Sequence, residues 1–491
     1  MQFLRFTKYI ALSAALGFLS SCNDFLDVNA SPNAVLVAPA SNVLVSAQTQ
    51  MGFLMGSDIH RYTSLFVQQN AGQGGASVQT VNYDTYNISA TDVNNLWRSN
   101  IYGGALADMQ KLNEQTTGTS PAYSGIAKLM QAYTFSVTTD AFGDIPFTDA
   151  LKFGENVKPV YDKSADVYTK LIPLIDDGIA DLDKASALTP TTDDLIYGGA
   201  LAKWKKFGNT LKLRLYLHYS NKLSATVNPG FATLLAKGPA TFMQDNTDNF
   251  QLTFDAVAGK TNPINQFETS RLNNFFPSAT LVELMNAKTD PRRPSYFTVY
   301  TATDGSFTGY RGVANGTGVN LSTNFSRINT FLRGARTGTG VQDYTGDAPI
   351  RMLTFAEYNF ILAEYYLRTG DVVNAQAKLN AGVTASMQMA GVAATDITAY
   401  LGKLTPLTAL SAQSLRTIIE EKYVANYGVA VEPWSDWRRT GYPALTPVSN
   451  GVLKQIPRIL PYSDLERVAN RENTPARTDL TTASVFWDPG L

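Results

Sequence analysis

Ala363-Glu364-Tyr365-Tyr366-Leu367-Arg368-Thr369-Gly370-Asp371, running on into Ala375-Gln376-Ala377, is the stretch from which the fold is read. Tyr358, Ile361, Leu362 and Tyr365 recur at steps of three and four, one apolar face of a helix that starts at Phe355. Gly370 suits the left-handed residue that closes a helix, and Asp371 can accept the free N–H groups that open the next. That second helix carries Val373, Ala377 and Met387. The segment predicts a helix hairpin.

The same periodicity extends toward the N-terminus. Trp97, Ile101, Ala105, Met109 and Leu112 outline one helix, and Ile126, Met130, Tyr133, Phe135 and Val137 a second. The second ends in Asp140-Ala141-Phe142-Gly143-Asp144-Ile145-Pro146-Phe147, where Gly143 and Pro146 stop regular structure. Ser164 can cap a third, with Tyr168, Ile172, Ile175, Ile179 and Leu182 on its face; Pro173 then demands a kink or a later start. Leu201, Trp204, Phe207, Leu211, Leu215 and His218 form a fourth, with Lys203, Lys205, Lys206 and Lys212 mostly off that face. A last helix runs from Leu415 to Tyr427, followed by Pro-, Tyr- and Asn-rich coil. Between about 250 and 350 the period fades, and Phe/Tyr/Val segments alternate with Asn315-Gly316-Thr317-Gly318 and Thr337-Gly338-Thr339-Gly340. Loops of that length with short strands are usually functional or mobile. The expectation is a mostly α single domain over 41–491, with a helical scaffold at about 90–225 and 350–430 and a loop-rich ligand region at about 250–350.

Cys22 is the only cysteine of 491 residues and follows Arg5, Lys8 and the apolar run from Tyr9 to Ser21. A span needs about 20 apolar residues, so this run reads as a signal peptide over 1–21. Leu19-Ser20-Ser21-Cys22 resembles the bacterial lipobox, which makes Cys22 a lipidation site and 22–40 the lipidated tether. The plainer alternative, a secretory signal leaving one free thiol, exposes that thiol in an oxidising compartment. Asp24 and Asp27 resemble the acidic signal that sends Bacteroidetes-type lipoproteins to the outer face of the outer membrane; the alternative is a solvated linker.

Formal net charge is −1 with no run of lysine or arginine, which excludes a nucleic-acid partner. No second apolar run reaches spanning length, so membrane attachment is expected through the lipid alone. Catalytic chemistry is scarce. His60 and His218 are the only histidines and belong to no catalytic motif; His218 sits on an apolar helix face as a core residue would. There is no G-x-S-x-G, Walker loop, H-E-x-x-H or dinucleotide fingerprint. Asp245, Asn246, Asp248 and Asn249 could offer oxygen ligands to calcium but lack calcium-loop spacing and read as an exposed turn, so no cofactor is expected. Asp176-Asp177 and Glu420-Glu421 read as solvated faces or ion pairs. A surface glycosidase, needing only two carboxylates, is the outside alternative to a non-enzyme.

Binding chemistry is plentiful by contrast, with 24 tyrosines and 25 phenylalanines. Sugar recognition combines a ring against the apolar face of a pyranose with planar polar groups for its hydroxyls. Gln73 in the loop Gln68–Gly75, with Tyr83, Tyr86, Tyr296, Tyr310, Asn320, Asn324 and Phe325, has that composition, as does Tyr300. The competing expectation is that half or more of these rings pack beneath their loops. Trp97, Trp204 and Tyr168 sit at helical spacing and read as core. Trp434 and Trp437, flanking Asp436 and next to Arg438-Arg439, read as a buried stacking and ion-pair cluster.

These landmarks resemble the SusD/RagB outer-membrane nutrient-binding lipoproteins, in particular the SusD-like, starch-binding-associated subgroup. The matching segments are Cys22 to Asn33, Phe142–Phe147, Trp204–Arg214, Asp290-Pro291-Arg292, Ala363-Glu364-Tyr365, Glu421-Lys422-Tyr423, Glu432–Arg439 and Ile456-Pro457-Arg458 through Tyr462, Glu466 and Asn470. Ser463 departs from the proline usual after that tyrosine. The hairpin at 363–377 also resembles a tetratricopeptide unit, in one legible copy. The resemblance implies a mostly α SusD-like fold with tetratricopeptide-like helix pairs and a loop-borne ligand site. It implies a SusC-like TonB-dependent transporter as partner, over which the lipoprotein sits as a lid, and no cofactor. The function it implies is capture of oligosaccharides at the cell surface and delivery to that transporter, with oligopeptides as the alternative ligand. It carries over no binding residue, because the family's ligand residues vary with substrate.

Overall fold

The computed structural model describes residues 37–74, 79–221, 224–318, 324–483 and 485–490. The chain divides into a leading segment, Met1–Pro39, and one larger unit, Ala40–Leu491. The expected signal peptide over 1–21, the expected lipidation site Cys22, Asp24 and Asp27 lie outside the described residues, as does Asn320.

Ten helices carry most of the unit. They are α1 (Ala40–Gly56), α2 (Asp58–Phe66), α3 (Ala107–Thr116), α4 (Pro121–Phe142), α5 (Ser164–Asp181), α6 (Leu201–His218), α7 (Phe355–Arg368), α8 (Val372–Met389), α9 (Ala412–Ala425) and α10 (Glu432–Thr440). Two hairpins, α4–α5 and α7–α8, pack most extensively. In the second, the Thr354 hydroxyl accepts the Glu357 N–H at 3.1 Å and the Asp371 carboxylate accepts that of Asn374 at 3.0 Å. The Thr354 cap contributes about 1 kcal/mol. Gly370, at φ +84°, makes the left-handed turn between the two helices. Phe360, Ala363 and Leu367 then meet Leu379, Val383 and Met387, and Ile418 of α9 closes that core. In α4–α5, a Cβ on Gly125 would stand 2.8 Å from the Gly178 carbonyl oxygen, so a glycine is needed for the backbones to approach. Phe207 of α6 stacks on Phe250 at 3.8 Å beside Trp204 and Tyr133.

Several elements differ from the sequence expectation. The helix expected at Trp97–Leu112 winds as a π-helical segment over Leu96–Leu106 before α3, although all five predicted face residues are buried. Ser164 does not cap α5; its hydroxyl accepts the Phe486 N–H, and Asp144 instead accepts the Ser164 N–H at 2.9 Å. Pro173 sits inside α5 on its exposed side, and the helix runs through it. The expected coil after Tyr427 contains α10, with Pro433 in its first turn, where a missing N–H costs nothing. The scaffold also begins earlier than residue 90. Helix α1 buries Ala40, Val43, Leu44, Ala47, Met51, Leu54 and Met55 on one side, while its other side mixes uncharged Asn42, Ser46, Thr49 and Gln50 with Val45 and Phe53, so the polar contrast is weak.

Strands are short and paired in twos: β1 (Asn70–Gly72) with β3 (Phe275–Pro277), β2 (Phe250–Leu252) with β6 (Ile350–Leu353), and β4 (Tyr300–Thr301) with β5 (Thr308–Gly309), all antiparallel.

Charged residues join the helices from within. Arg214 donates to Glu357 at 2.7 Å, Lys422 to Glu432 at 2.6 Å, and Arg439 to Glu364 and Asp436, each at 2.7 Å. Arg292 joins Asp290 to Glu421, the latter at 2.9 Å. Burial alone would raise the Glu364 carboxyl, but Arg439 and then Arg368 outweigh it and hold it at about 2. Lys422 is likewise held above its ordinary value: burial pulls it down, and Asp436, Glu432 and Glu357 overcome that. His218 lies in the same interior, 2.7 Å from the Tyr168 hydroxyl and 3.3 Å from Glu432. The Arg438 guanidinium stands 3.9 Å from the Trp434 ring centre, the stacking and ion-pair cluster that the sequence suggested.

Candidate functional site

Pairing of β1 with β3 brings the Gln73 loop to the residues around Asn274, far apart in sequence. The Gln73 N–H donates to the Asn274 carbonyl at 2.9 Å, and its side-chain amide reaches the Thr317 hydroxyl at 3.1 Å. Arg311 and Ser326 pair beside them: Ser326 N–H donates to the Arg311 carbonyl, and Arg311 N–H to the Ser326 hydroxyl at 3.0 Å. Asp84 pins the 315–316 turn, accepting from the Asn315 amide and the Gly316 N–H, both at 2.6 Å. Burial pushes its carboxyl up to about 7, against the pull of those donors and of the Gly72 N–H.

Of the predicted site residues, Gln73, Tyr310, Asn324 and Phe325 come to this loop face. Phe325 rests on Ala71, Phe276 and Val313, is half-buried, and carries the Arg311 guanidinium 5.1 Å from its ring centre. Tyr310 is half-buried beneath Arg293, at 5.2 Å. Asn324 is exposed beside Phe325, whereas Gln73 is fully buried and braces the loop from below. Tyr300 pairs with Phe307 across the β4–β5 hairpin, ring centres 6.1 Å apart.

Three predicted rings are enclosed instead. Tyr83 meets Tyr62 edge-on at 4.7 Å and donates to Asp92 at 3.1 Å. Tyr86 accepts the Val448 N–H at 3.3 Å. Tyr296 lies between Phe331 and Tyr427 and donates to the Val424 carbonyl at 3.2 Å. A ring closed by protein on its faces offers no stacking surface, so these three support the loops from beneath, as the competing expectation had it. Sequence reasoning missed Arg311; its one signal was position, beside Tyr310 and one residue before Gly312.

His60 is wholly buried, and burial pushes its imidazole down to about 4. Asp245 accepts the Thr247 N–H at 2.7 Å in an exposed turn. Among the described residues no group of three or more His, Cys, Asp and Glu is placed to hold a metal, and no helix is long and apolar enough to cross a membrane.

Helix hairpins that pair their own charges and carry an irregular face of rings, guanidinium and amide define a ligand-binding scaffold. The chain belongs to the SusD-like family described as "Starch-binding associating with outer membrane", whose model matches residues 32–462. Its fold is shared by a chitin-binding SusD homolog from Flavobacterium johnsoniae, at TM-score 0.76 and 22% identity over 92% of this chain and all (100%) of that one. A chitin-binding protein gives TM-score 0.75 at 23% identity, covering 89% of this chain and 95% of that one. A SusD homolog from Bacteroides uniformis gives 0.73 at 22%, over 91% and 99%. No protein of curated function matches the sequence.

Proposed function

We propose that this chain is a cell-surface, lipid-anchored glycan receptor that captures oligosaccharides on the loop face and hands them to a SusC-like TonB-dependent outer-membrane transporter. The observation that carries this is membership of a starch-binding-associated family over nearly the whole chain. The half-buried Phe325 ring, with Arg311 over it and Asn324 beside it, supports the same reading, since ring and planar donors suit a pyranose. The rings are fixed from below, so binding orders few side chains. No side chain of the face is assigned a catalytic part; uptake energy comes through the barrel.

Calorimetric titration of the detergent-solubilised full chain with maltoheptaose, chitohexaose and a mixed oligopeptide pool tests the ligand class. Glycan binding that weakens about tenfold or more in Phe325→Ala and Arg311→Ala, at unchanged melting temperature, supports the proposal. Peptide binding without glycan binding overturns it. Co-purification of a β-barrel transporter with the tagged chain from native membranes tests the partner.

A further inference from the structure

The loop face uses none of the residues around a cleft of about 820 Å3 walled by α3, α4 and the loop after α4. That volume lies within the range of small-ligand sites, about 300–1,000 Å3. Phe135 forms its floor, 4% exposed, with Phe147 edge-on at 4.7 Å. Phe153 stands at the rim, 49% exposed. The backbone that presents it is unusual: Leu151 and Phe153 both adopt left-handed conformations, φ +61° and +48°, which side-chain-bearing residues rarely take. Asp149 holds this turn in place, accepting from the Lys152 and Asn156 side chains and the Val160 N–H. Folding alone supplies no reason to strain a backbone in order to leave a large apolar ring half in water. Such outliers gather where a site must be preformed.

The opposite wall is polar and ordered. The Gln131 amide, 4% exposed, donates to Gln110 at 2.9 Å, and Gln110 donates to Glu114 at 2.7 Å. This directional chain fixes which way each planar group points, with the Glu114 carboxylate at its exposed end and Asn113 in the same wall. Glu114, Glu155 and Lys152 give the cleft no cationic cluster for an anion. The helical walls offer no open strand edge to pair with a peptide backbone. Rings on one side and oriented amides on the other match a neutral, hydroxyl-rich ligand.

We propose that this cleft is a second carbohydrate subsite, separate from the loop face, in which the Phe153 ring stacks on a sugar and Gln110 and Glu114 hold its hydroxyls. The proposal rests on the glycan reading above and extends it to a second point of attachment. It is tested by calorimetric titration of the detergent-solubilised full chain with maltoheptaose and chitohexaose, comparing wild type, Phe153→Ala, Gln110→Ala and Phe325→Ala. Phe153 is exposed and Gln110 lies on a helix surface, so the fold should tolerate both changes; a melting curve for each variant checks this. The expected result is two glycans bound per chain. One event is lost or weakened about tenfold in Phe153→Ala and Gln110→Ala and retained in Phe325→Ala. A single event, sensitive to Phe325→Ala and indifferent to Phe153→Ala and Gln110→Ala, overturns the subsite and leaves the glycan reading standing. No glycan binding by the wild-type chain overturns both.

Discussion

Replacing Glu364 with glutamine tests whether the interior charges stabilise the fold as charges. The Glu364 carboxyl is completely buried and accepts from Arg439 and Arg368, which hold it at about 2 against an ordinary value of 4.5. The unfolded chain takes up its proton near pH 4.5, and the folded chain only near pH 2. The charge therefore contributes stability that is complete above about pH 4.5 and is lost as pH falls toward 2. A gap of about 2.5 pH units, at about 1.36 kcal/mol each, is about 3 kcal/mol at pH 7. At pH 3, one unit above the folded value, about 1.4 kcal/mol remains. Arg439 keeps Asp436 as a partner in the variant, so the loss should stop short of a wholly orphaned buried charge. Urea denaturation of wild type and Glu364→Gln, followed by far-ultraviolet circular dichroism at both pH values, reads the difference directly. A deficit near 3 kcal/mol at pH 7 that at least halves at pH 3 is expected. A deficit equal at the two pH values, or below about 1 kcal/mol at pH 7, would refute the electrostatic account.

Glu268 should behave in the opposite sense. Burial pushes its carboxyl up to about 7 although Arg333 and Arg327 pull it down, so the fold must hold a proton that the unfolded chain sheds near 4.5. Stability then falls as pH rises through that window, and Glu268→Gln should be the more stable protein at pH 8, by up to about 3 kcal/mol, with the advantage gone below about pH 4.5. Urea midpoints at pH 8 and 4.5 check this. Gly125→Val should destabilise by about 1–3 kcal/mol, because its first side-chain carbon meets the Gly178 carbonyl oxygen at 2.8 Å; an unchanged melting temperature would show that α4 and α5 can part freely. Cys22→Ser should move the protein from membrane to soluble fractions, and its continued sedimentation with membranes would remove the lipid anchor from the proposal.

The scaffold was legible where a helix has one apolar and one polar side. The α7–α8 turn at Gly370–Asp371 was readable to the residue, because a left-handed glycine and a capping carboxylate are chemically unambiguous. Helix α1 was not, since its outer side carries no charge and mixes Asn42, Ser46, Thr49 and Gln50 with Val45 and Phe53, which blurs the period. Helix α10 was hidden by its own composition: Glu432-Pro433-Trp434 reads as coil until Pro433 is placed in a first turn. At the loop face the composition did not distinguish open rings from covered ones. Tyr83, Tyr86 and Tyr296 have side chains as suited to a sugar as Tyr310, and only tertiary packing decides which of them is covered. The cleft at Phe135 and Phe153 was invisible because its walls come from three segments, each unremarkable as a helix or turn.

The interior charges join parts of the chain that lie far apart in sequence. Arg214 reaches Glu357 across 143 residues, Arg292 reaches Glu421 across 129, and Arg439 reaches Glu364 across 75. The first and third tie one helix to another, the second ties the turn at Arg292 to α9, and losing one partner leaves a buried charge at a cost of about 3–5 kcal/mol. Such pairs fix the relative register of the elements they join. The loop face is held differently. Its turns are fixed by main-chain bonds, as in Ser326 N–H to the Arg311 carbonyl and Ala279 N–H to the Val313 carbonyl, and by the buried side chains of Asp84 and Gln73. The exposed side chain of Arg311 can therefore change without breaking the bonds that shape the loops. Arg311→Ser should leave stability within about 0.5 kcal/mol while altering which glycan binds. A loss of several kcal/mol would mean that this side chain holds the face together, and the separation of framework from recognition would fail.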